Sequence, residues 1–381
     1  MFDEDYRERI ENEQFLEGIE LKSQGRPIIG TYCAFTPKEI IAAAGAVAVS
    51  LCAGAQRPIP QAEAHLPRNI CPLIKSSYGF ALTDTCPYFH EVDLIIADTT
   101  CDGKKKMFEL IKRLKPIFVL SLPQTVDDNG LNYWLTEFHK TKQLLENLSG
   151  NSITPEKLAD QISLYNRLRQ TILAVYSLNT NQSPMLSGKE IFNITFMNTF
   201  ECNIEKRVSD MKSAIEVAKT RFADDSFKKS LANKPRILLS GCPTTNRKIL
   251  DIIEKCGGIV VAMENCGGLK PLLPLVAENK EPMLALAEKY LLIPCPCMTP
   301  NDRRSVLIGD IVKDYHVDGI IDLTWENCQL YDTEAFLIRE KAHQEWKKPY
   351  LQIRTDYSEN DIGQLMVRVE GFLEIMKADR H

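Results

Sequence analysis

The sequence predicts an α/β protein: two parallel-sheet domains, Rossmann-like or flavodoxin-like, with a helical connecting domain between them. Three observations carry this reading. Short β-rich runs alternate with amphipathic helical stretches at both ends of the chain, long helical periodicity without a strand fills the middle, and 381 residues exceed the usual size of one domain.

The first stretch, MFDEDYRERIENEQFLEGIELK, is an acidic amphipathic helix, the opposite of the basic and then apolar segments of a signal peptide. RPIIGTYC then predicts a strand, TPKEIIAAAG a helix with Thr36 as N-cap and Pro37 in its first turn, and AVAVSLC a second strand. VDLIIADTTC, DGKKKMFELIKRLK and PIFVLSLPQ follow as strand, helix and strand, which closes a first domain over residues 1–128. Residues 129–233 carry LNYWLTEFHKTKQLLENL, TPEKLADQISLYNRLRQTILAVYSL and NIEKRVSDMKSAIEVAKTRF, helical segments whose apolar faces are packing surface. At Lys234-Pro235 the alternation resumes, and residues 234–381 form the second α/β domain. No short-period repeat is visible, although MENCGG and WENCQL place the same triplet after a strand.

A formal net charge of −5 without a long single-sign run recommends neither nucleic acid nor an anionic membrane as partner. Apolar runs such as GAVAVSLCAGA stay below the length of a membrane span. The expected compartment is the cytoplasm, where twelve cysteines serve as reduced thiols, metal ligands or catalytic groups and not as structural disulfides.

Their placement is the most informative feature. Cys33, Cys52, Cys101, Cys242, Cys266 and Cys328 each fall at or just past the C-terminal end of a predicted strand, and Cys295 and Cys297 follow the short run YLLIP. In a parallel sheet those ends share one edge, where open α/β folds bind ligands. The bland alternative is that cysteine is a small hydrophobe which packs well near strand ends, and Cys202 and Cys256 are read that way. Cys71, Cys86 and Cys101 stand at even intervals of fifteen residues; Cys71 starts a predicted helix, whereas Cys86 lies midway in a loop and is read as a bystander or supporting thiol.

Converging thiols leave zinc, an iron–sulfur cluster or a redox relay as options. Six or more thiolates exceed a tetrahedral zinc site, and Cys295-Pro296-Cys297 is the only tight pair, with no CxxC knuckle. Iron–sulfur cubanes accept cysteines scattered over several loops, so a cluster is the preferred chemistry.

No G-x-G-x-x-G or G-x-x-x-x-G-K-[ST] loop is present, so ATP, if it drives this protein, is hydrolysed by a partner. CDGKKK offers Gly103 and Lys104 to Lys106 at a helix start, either as an anion site or as a solvated first turn. Glu264 and Glu326, each two residues before a cysteine, are weak candidates for proton transfer to a reduced substrate, or else they cap helices and loop amides. His65 and His90 are read as satisfied packing or surface residues.

GTYCAFTPKEIIAAAGAV, LPRNICPLIKSSYGF, DTTCDGKKKMFE, LSGCP, VDGIIDLTWENC and RTDYSENDIGQLMVRVEGFLE together resemble the superfamily of 2-hydroxyacyl-CoA dehydratases and benzoyl-CoA reductases, over nearly the whole chain. The resemblance implies a [4Fe–4S] cubane on Cys71, Cys101 and Cys328. It also implies electrons from a separate ATP-hydrolysing activator of the actin-like ATPase fold, itself an iron–sulfur dimer. The surplus Cys242, Cys266, Cys295 and Cys297 is similar to the double-cubane cluster branch, in which two cubanes share a bridging sulfide, [8Fe-9S], in each subunit of a homodimer. On that branch Cys242, Cys266 and Cys295 are assigned to the second cubane, with Cys297 or Cys33 as replacements. Three functions follow: an iron–sulfur reductase of a small substrate bound between the two α/β domains, a single-cubane dehydratase subunit working through a ketyl radical, or a non-catalytic cluster carrier.

Overall fold

The computed structural model describes residues 1–52, 54–196 and 200–378. After α1 (Glu4–Ser23) the first half of the chain runs β1 (Ile28–Thr31), α2 (Lys38–Ala43), β2 (Val47–Ser50), α3 (Ile59–Ala62), α4 (Pro72–Thr83), α5 (Pro87–Glu91), β3 (Leu94–Asp98), α6 (Asp102–Ile111) and β4 (Ile117–Leu120). These strands make a four-stranded parallel sheet in the order β2-β1-β3-β4. β1 and β3 are buried throughout, because helices cover both faces of a parallel sheet and the strands read as continuous apolar runs.

Five helices follow: α7 (Asp128–Ser149), α8 (Pro155–Ser177), α9 (Gly188–Thr195), α10 (Ile204–Phe222) and α11 (Asp225–Ala232). Their starts are written in the sequence. Asp127, Thr154 and Asn203 each cap with a side-chain oxygen, Pro155 occupies the first turn of α8, and Ser187 with Glu190 forms a reciprocal capping box. Among the described residues this segment contains no strand, only an isolated bridge from Phe200 to Val49.

The chain then forms β5 (Arg236–Gly241), α12 (Lys248–Lys255), β6 (Ile259–Glu264), α13 (Pro282–Leu291), α14 (Asp302–Asp314), β7 (Gly319–Trp325), α15 (Gln329–Gln344), β8 (Tyr350–Thr355) and α16 (Ile362–Ala378). The second sheet is also parallel, in the order β6-β5-β7-β8. Both sheets therefore repeat one topology, with the strand order reversing between the first and third strands of each half. Among the described residues no helix is long and apolar enough to cross a membrane.

Two apolar cores organise these layers. The larger is continuous across both sheets, joining Val47, Ile95, Ile237 and Ile320 through helical residues such as Tyr176 and Met211. The second packs one face of the first sheet, with Ile29 and Ile96 against Ile40, Trp134, Phe138, Leu286 and Tyr290. Helix α13, which follows β6 in the chain, thus covers the first sheet. That fold-back carries Cys295 and Cys297 into the same core, and the Thr299 amide donates to the Gln124 carbonyl at 2.8 Å.

One local expectation is corrected. Thr36 does not cap α2: Pro37 holds the cap position without a side-chain bond, and the buried Thr36 hydroxyl has no partner among the described residues. The short run YLLIP is the last turn of α13 and the bend after it, so Cys295 and Cys297 arrive on a loop leaving a helix.

Candidate metal centre

The strand ends deliver thiols in a repeated pattern. Cys33 follows β1 and Cys242 follows β5; Cys52 follows β2 and Cys266 follows β6; Cys101 follows β3 and Cys328 follows β7. Three candidate ligands also stand at helix N-termini, Cys71 as N-cap of α4, Cys101 of α6 and Cys328 of α15. Amide groups and the helix dipole at those positions favour a thiolate or a negatively charged group held by one. The Lys104 amide accordingly donates to Cys101 Sγ at 3.4 Å.

The thiols fall into two groups. Cys71 and Cys242 both interact with Cys328, which holds the Cys328 thiol well below its ordinary range; that neighbour pushes Cys71 up, while burial first and Cys328 second push Cys242 up. The Trp325 amide adds a 3.4 Å bond to Cys242 Sγ. On the other side Cys33 interacts with Cys266, lowering Cys266 and raising Cys33, while Cys297 interacts with Cys295 and feels the charge of Cys33. Cys101 lies within electrostatic reach of both Cys328 and Cys33.

This grouping differs from the one implied by resemblance. Cys242 keeps company with Cys71 and Cys328, not with Cys266 and Cys295, and Cys33 joins Cys266. The reason is topological: β5 pairs with β7, so the residues after them emerge side by side, and Gly241 lets the chain turn there. Gly241 has φ +105°, and a Cβ on it would lie 2.2 Å from the Leu323 carbonyl oxygen.

Among the described residues no three Cys, His, Asp or Glu side chains close on one point as ligands of a single ion would. A cubane has different demands. Its irons occupy separate corners, so its thiolates must surround a volume, and an all-sulfur donor set on several loops is what it takes. The residues fit such a group: both sets of thiols draw on the first and second halves of the chain, from several loops and helix starts.

Charged side chains frame the thiols. Burial works against an ammonium at Lys104, but Cys33, Cys52, Asp98 and Cys101 outweigh it and keep that group charged. Lys105 and Lys106 instead pair with Asp102 and Glu109, as a solvated first turn would. Asp98, the last residue of β3, is fully buried and neither carboxylate oxygen has a well-formed hydrogen bond among the described residues; burial raises its pKa to about 6. Asp98 was missed in the sequence, though a lone carboxylate closing the apolar run LIIAD was a signal.

Glu264 occupies a different place from the one expected of a proton shuttle. It is fully buried, 3.0 Å from Lys270 and 3.1 Å from Arg304, and accepts from Ser240 at 2.8 Å. Burial raises its pKa, but the two cations outweigh it and leave the carboxyl below its usual range. Lys270 passes the network on, donating at 2.8 Å to the Tyr331 hydroxyl, which lies 3.9 Å from Cys266 Sγ. Glu326 is exposed, and its amide donates to the Thr355 carbonyl at 2.9 Å. His65 is engaged with Tyr78 at 2.6 Å and His90 with Asp84 at 2.8 Å. Cys86 caps the short α5, Cys202 bonds the Gln14 carbonyl at 3.5 Å, and Cys256 contacts the Met366 carbonyl at 3.8 Å.

A cavity of about 220 Å³ opens beside the thiols, lined by Cys33, Cys52 and Cys266 together with Lys104, Thr36 and Lys289.

Two doubly wound parallel sheets with thiols gathered at their strand ends define an α/β protein with a cysteine-lined cavity. The sequence model of the family described as 2-hydroxyglutaryl-CoA dehydratase, D-component, matches residues 33–376, and the chain belongs to that family, within the 2-hydroxyacyl-CoA dehydratase and benzoyl-CoA reductase superfamily. It is 41% identical to the putative dehydratase subunit YjiM of Escherichia coli (strain K12), over 95% of this chain and 94% of that one. The (R)-phenyllactyl-CoA dehydratase beta subunit of Clostridium sporogenes is 24% identical over 98% of both chains. A benzoyl-CoA reductase subunit of Thauera aromatica is 26% identical over 44% of each.

Proposed function

We propose that this chain is the substrate-reducing subunit of an iron–sulfur reductase, holding a double-cubane [8Fe-9S] cluster in the crevice. The observation that carries this reading is the division of the thiols. Cys71, Cys242 and Cys328 form one group, while Cys33, Cys266, Cys295 and Cys297 supply a second, with Cys101 between them. A single cubane would leave one whole group without work. When bound, such a cluster supplies low-potential electrons next to the substrate.

The chain's own residues do the rest. The α4, α6 and α15 N-termini and Lys104 offset the negative charge of ligated sulfur, and the apolar cores on either side keep water from it. The cavity, well below the roughly 300–1,000 Å³ of pockets for drug-sized ligands, supports a small-molecule substrate. Electrons would come from an ATP-hydrolysing activator of the actin-like fold carrying its own [4Fe-4S] cluster, and the working unit would be a homodimer in the cytoplasm.

The names of the dehydratase relatives favour a second reading, a 2-hydroxyacyl-CoA dehydratase subunit with one [4Fe-4S] cluster. Iron and sulfide analysis of anaerobically purified protein separates the two: about eight irons per chain for the reductase and about four for the dehydratase. Cys266→Ser should then lower the iron count and change the low-temperature EPR spectrum. An unchanged count and spectrum would remove the second cluster from consideration. Transfer of the cluster to an apo-acceptor, without turnover in the presence of an activator and reductant, would indicate a carrier.

A further inference from the structure

The cavity beside the thiols is uneven in its chemistry. One side is sulfur, whereas three donors in the rest of the lining have hydrogen-bonding capacity that no described residue uses. The buried Thr36 hydroxyl has no partner among the described residues. Lys104 Nζ has no hydrogen-bond acceptor among the described residues. Lys289 Nζ, on α13, donates to the Pro271 carbonyl at 2.7 Å, its only acceptor among the described residues, although an ammonium carries three donors.

The other cations of the lining are already neutralised. Lys38 pairs with Glu201, which also accepts from Tyr165 at 3.0 Å. Arg169 pairs with Glu39, which accepts from Tyr290 at 2.8 Å. Lys289 is 2% exposed and lies in no ion pair among the described residues. A buried ammonium with spare donors is expensive unless something else in the site uses them.

We propose that Lys289, with Thr36 as an auxiliary donor, forms the anion-binding pole of this cavity, and that the substrate is a small molecule with an anionic or strongly hydrogen-bond-accepting end. The inference deepens the reductase reading by naming the class of substrate, and rests on that reading only for the reaction itself. An anion seated there would use the free donors of Lys289 and supply the charge it lacks, while its other end lies toward the thiols.

The surroundings of Lys289 give the binding a proton signature. Burial, and then the like charge of Arg169 on α8, pull its pKa down to about 7, with Glu39 on α2 opposing; the Tyr290 ring lies 5.5 Å away on its own helix. Free protein near pH 7 is thus only partly protonated at Lys289, and an anion must bring a proton with it. Uptake should grow as pH rises from about 6.5 to about 8.

The test is anaerobic titration calorimetry of the iron-loaded full chain with sodium acetate, in buffers of different ionisation enthalpy, with iron counted on every sample. Binding is expected with proton uptake that grows across that pH range. Lys289→Met should weaken it about tenfold or more and abolish the uptake, Lys289→Arg should keep binding without uptake, and Thr36→Val should weaken it less. Absence of acetate binding to protein with its full iron complement would overturn the inference, as would affinity and uptake unchanged in Lys289→Met. A count of about four irons with Lys289-dependent binding would keep this inference and sink the double-cubane reading; about eight irons without binding would do the reverse.

Discussion

Glu264 is the residue for which sequence and structure make opposite predictions, and Glu264→Gln decides between them. The substitution keeps the volume and removes the charge. In the folded protein that charge serves Lys270 at 3.0 Å and Arg304 at 3.1 Å, all three side chains fully buried. Arg304 retains Glu334 and a 3.9 Å contact with Asp322, so the cation left exposed to low dielectric is chiefly Lys270. Breaking a buried pair from one side costs about 3–5 kcal/mol, which urea unfolding would resolve as a lower midpoint at unchanged slope. The sign with pH is fixed by the direction of the shift. Glu264 is depressed below the ordinary glutamate value of 4.5, so its contribution is full above that value and is lost as pH falls through the folded-state pKa. Wild type and variant should therefore differ at neutral pH and converge in acid. An unchanged urea midpoint with lost turnover would refute the ion-pair account and restore the proton shuttle.

Further outcomes follow from the same contacts. Tyr331→Phe removes the hydroxyl beside Cys266; a hydrogen bond to ligated sulfur stabilises the reduced, more negative cluster, and a contribution of about 0.5–1.5 kcal/mol corresponds to a midpoint potential lowered by roughly 20–60 mV, measurable by EPR-monitored redox titration. Arg169→Ala strands the fully buried Glu39 carboxylate and should destabilise the chain by about 3–5 kcal/mol in urea unfolding, because the pair ties α2, α8 and α13 together. Gly241→Ala places a Cβ against the Leu323 carbonyl oxygen at a positive φ, so it should displace Cys242 and reduce iron loading more than it shifts the unfolding midpoint of iron-free protein.

Much of the fold was legible because its determinants are local. Alternating apolar runs and helical periodicity report the strands and helices of a parallel sheet, and Pro155 or Ser187 with Glu190 mark helix starts within a few residues. The cysteines were likewise legible as strand-end residues. Which thiols meet was not, since that depends on strand order and on the return of α13 across the first sheet, neither of which leaves a local trace. The setting of Glu264 was hidden for the same reason: its position at the end of β6 was visible, but Lys270 and Arg304 reach it from a loop and a later helix.

The repeated topology bears on how the thiols are grouped. If each half carried its own site, the thiols after β1, β2 and β3 would pair among themselves, as would those after β5, β6 and β7. The contacts run otherwise: Cys71 on α4 meets Cys328 and Cys242 from the second half, and Cys33 after β1 meets Cys266 after β6. Each group therefore draws on both halves, so neither sheet alone carries a whole group of thiols. The helical segment and α13 then have a definite task. By packing against the first sheet while their chain continues into the second, they tie the two sheets together and bring Cys295 and Cys297 into the core of the first.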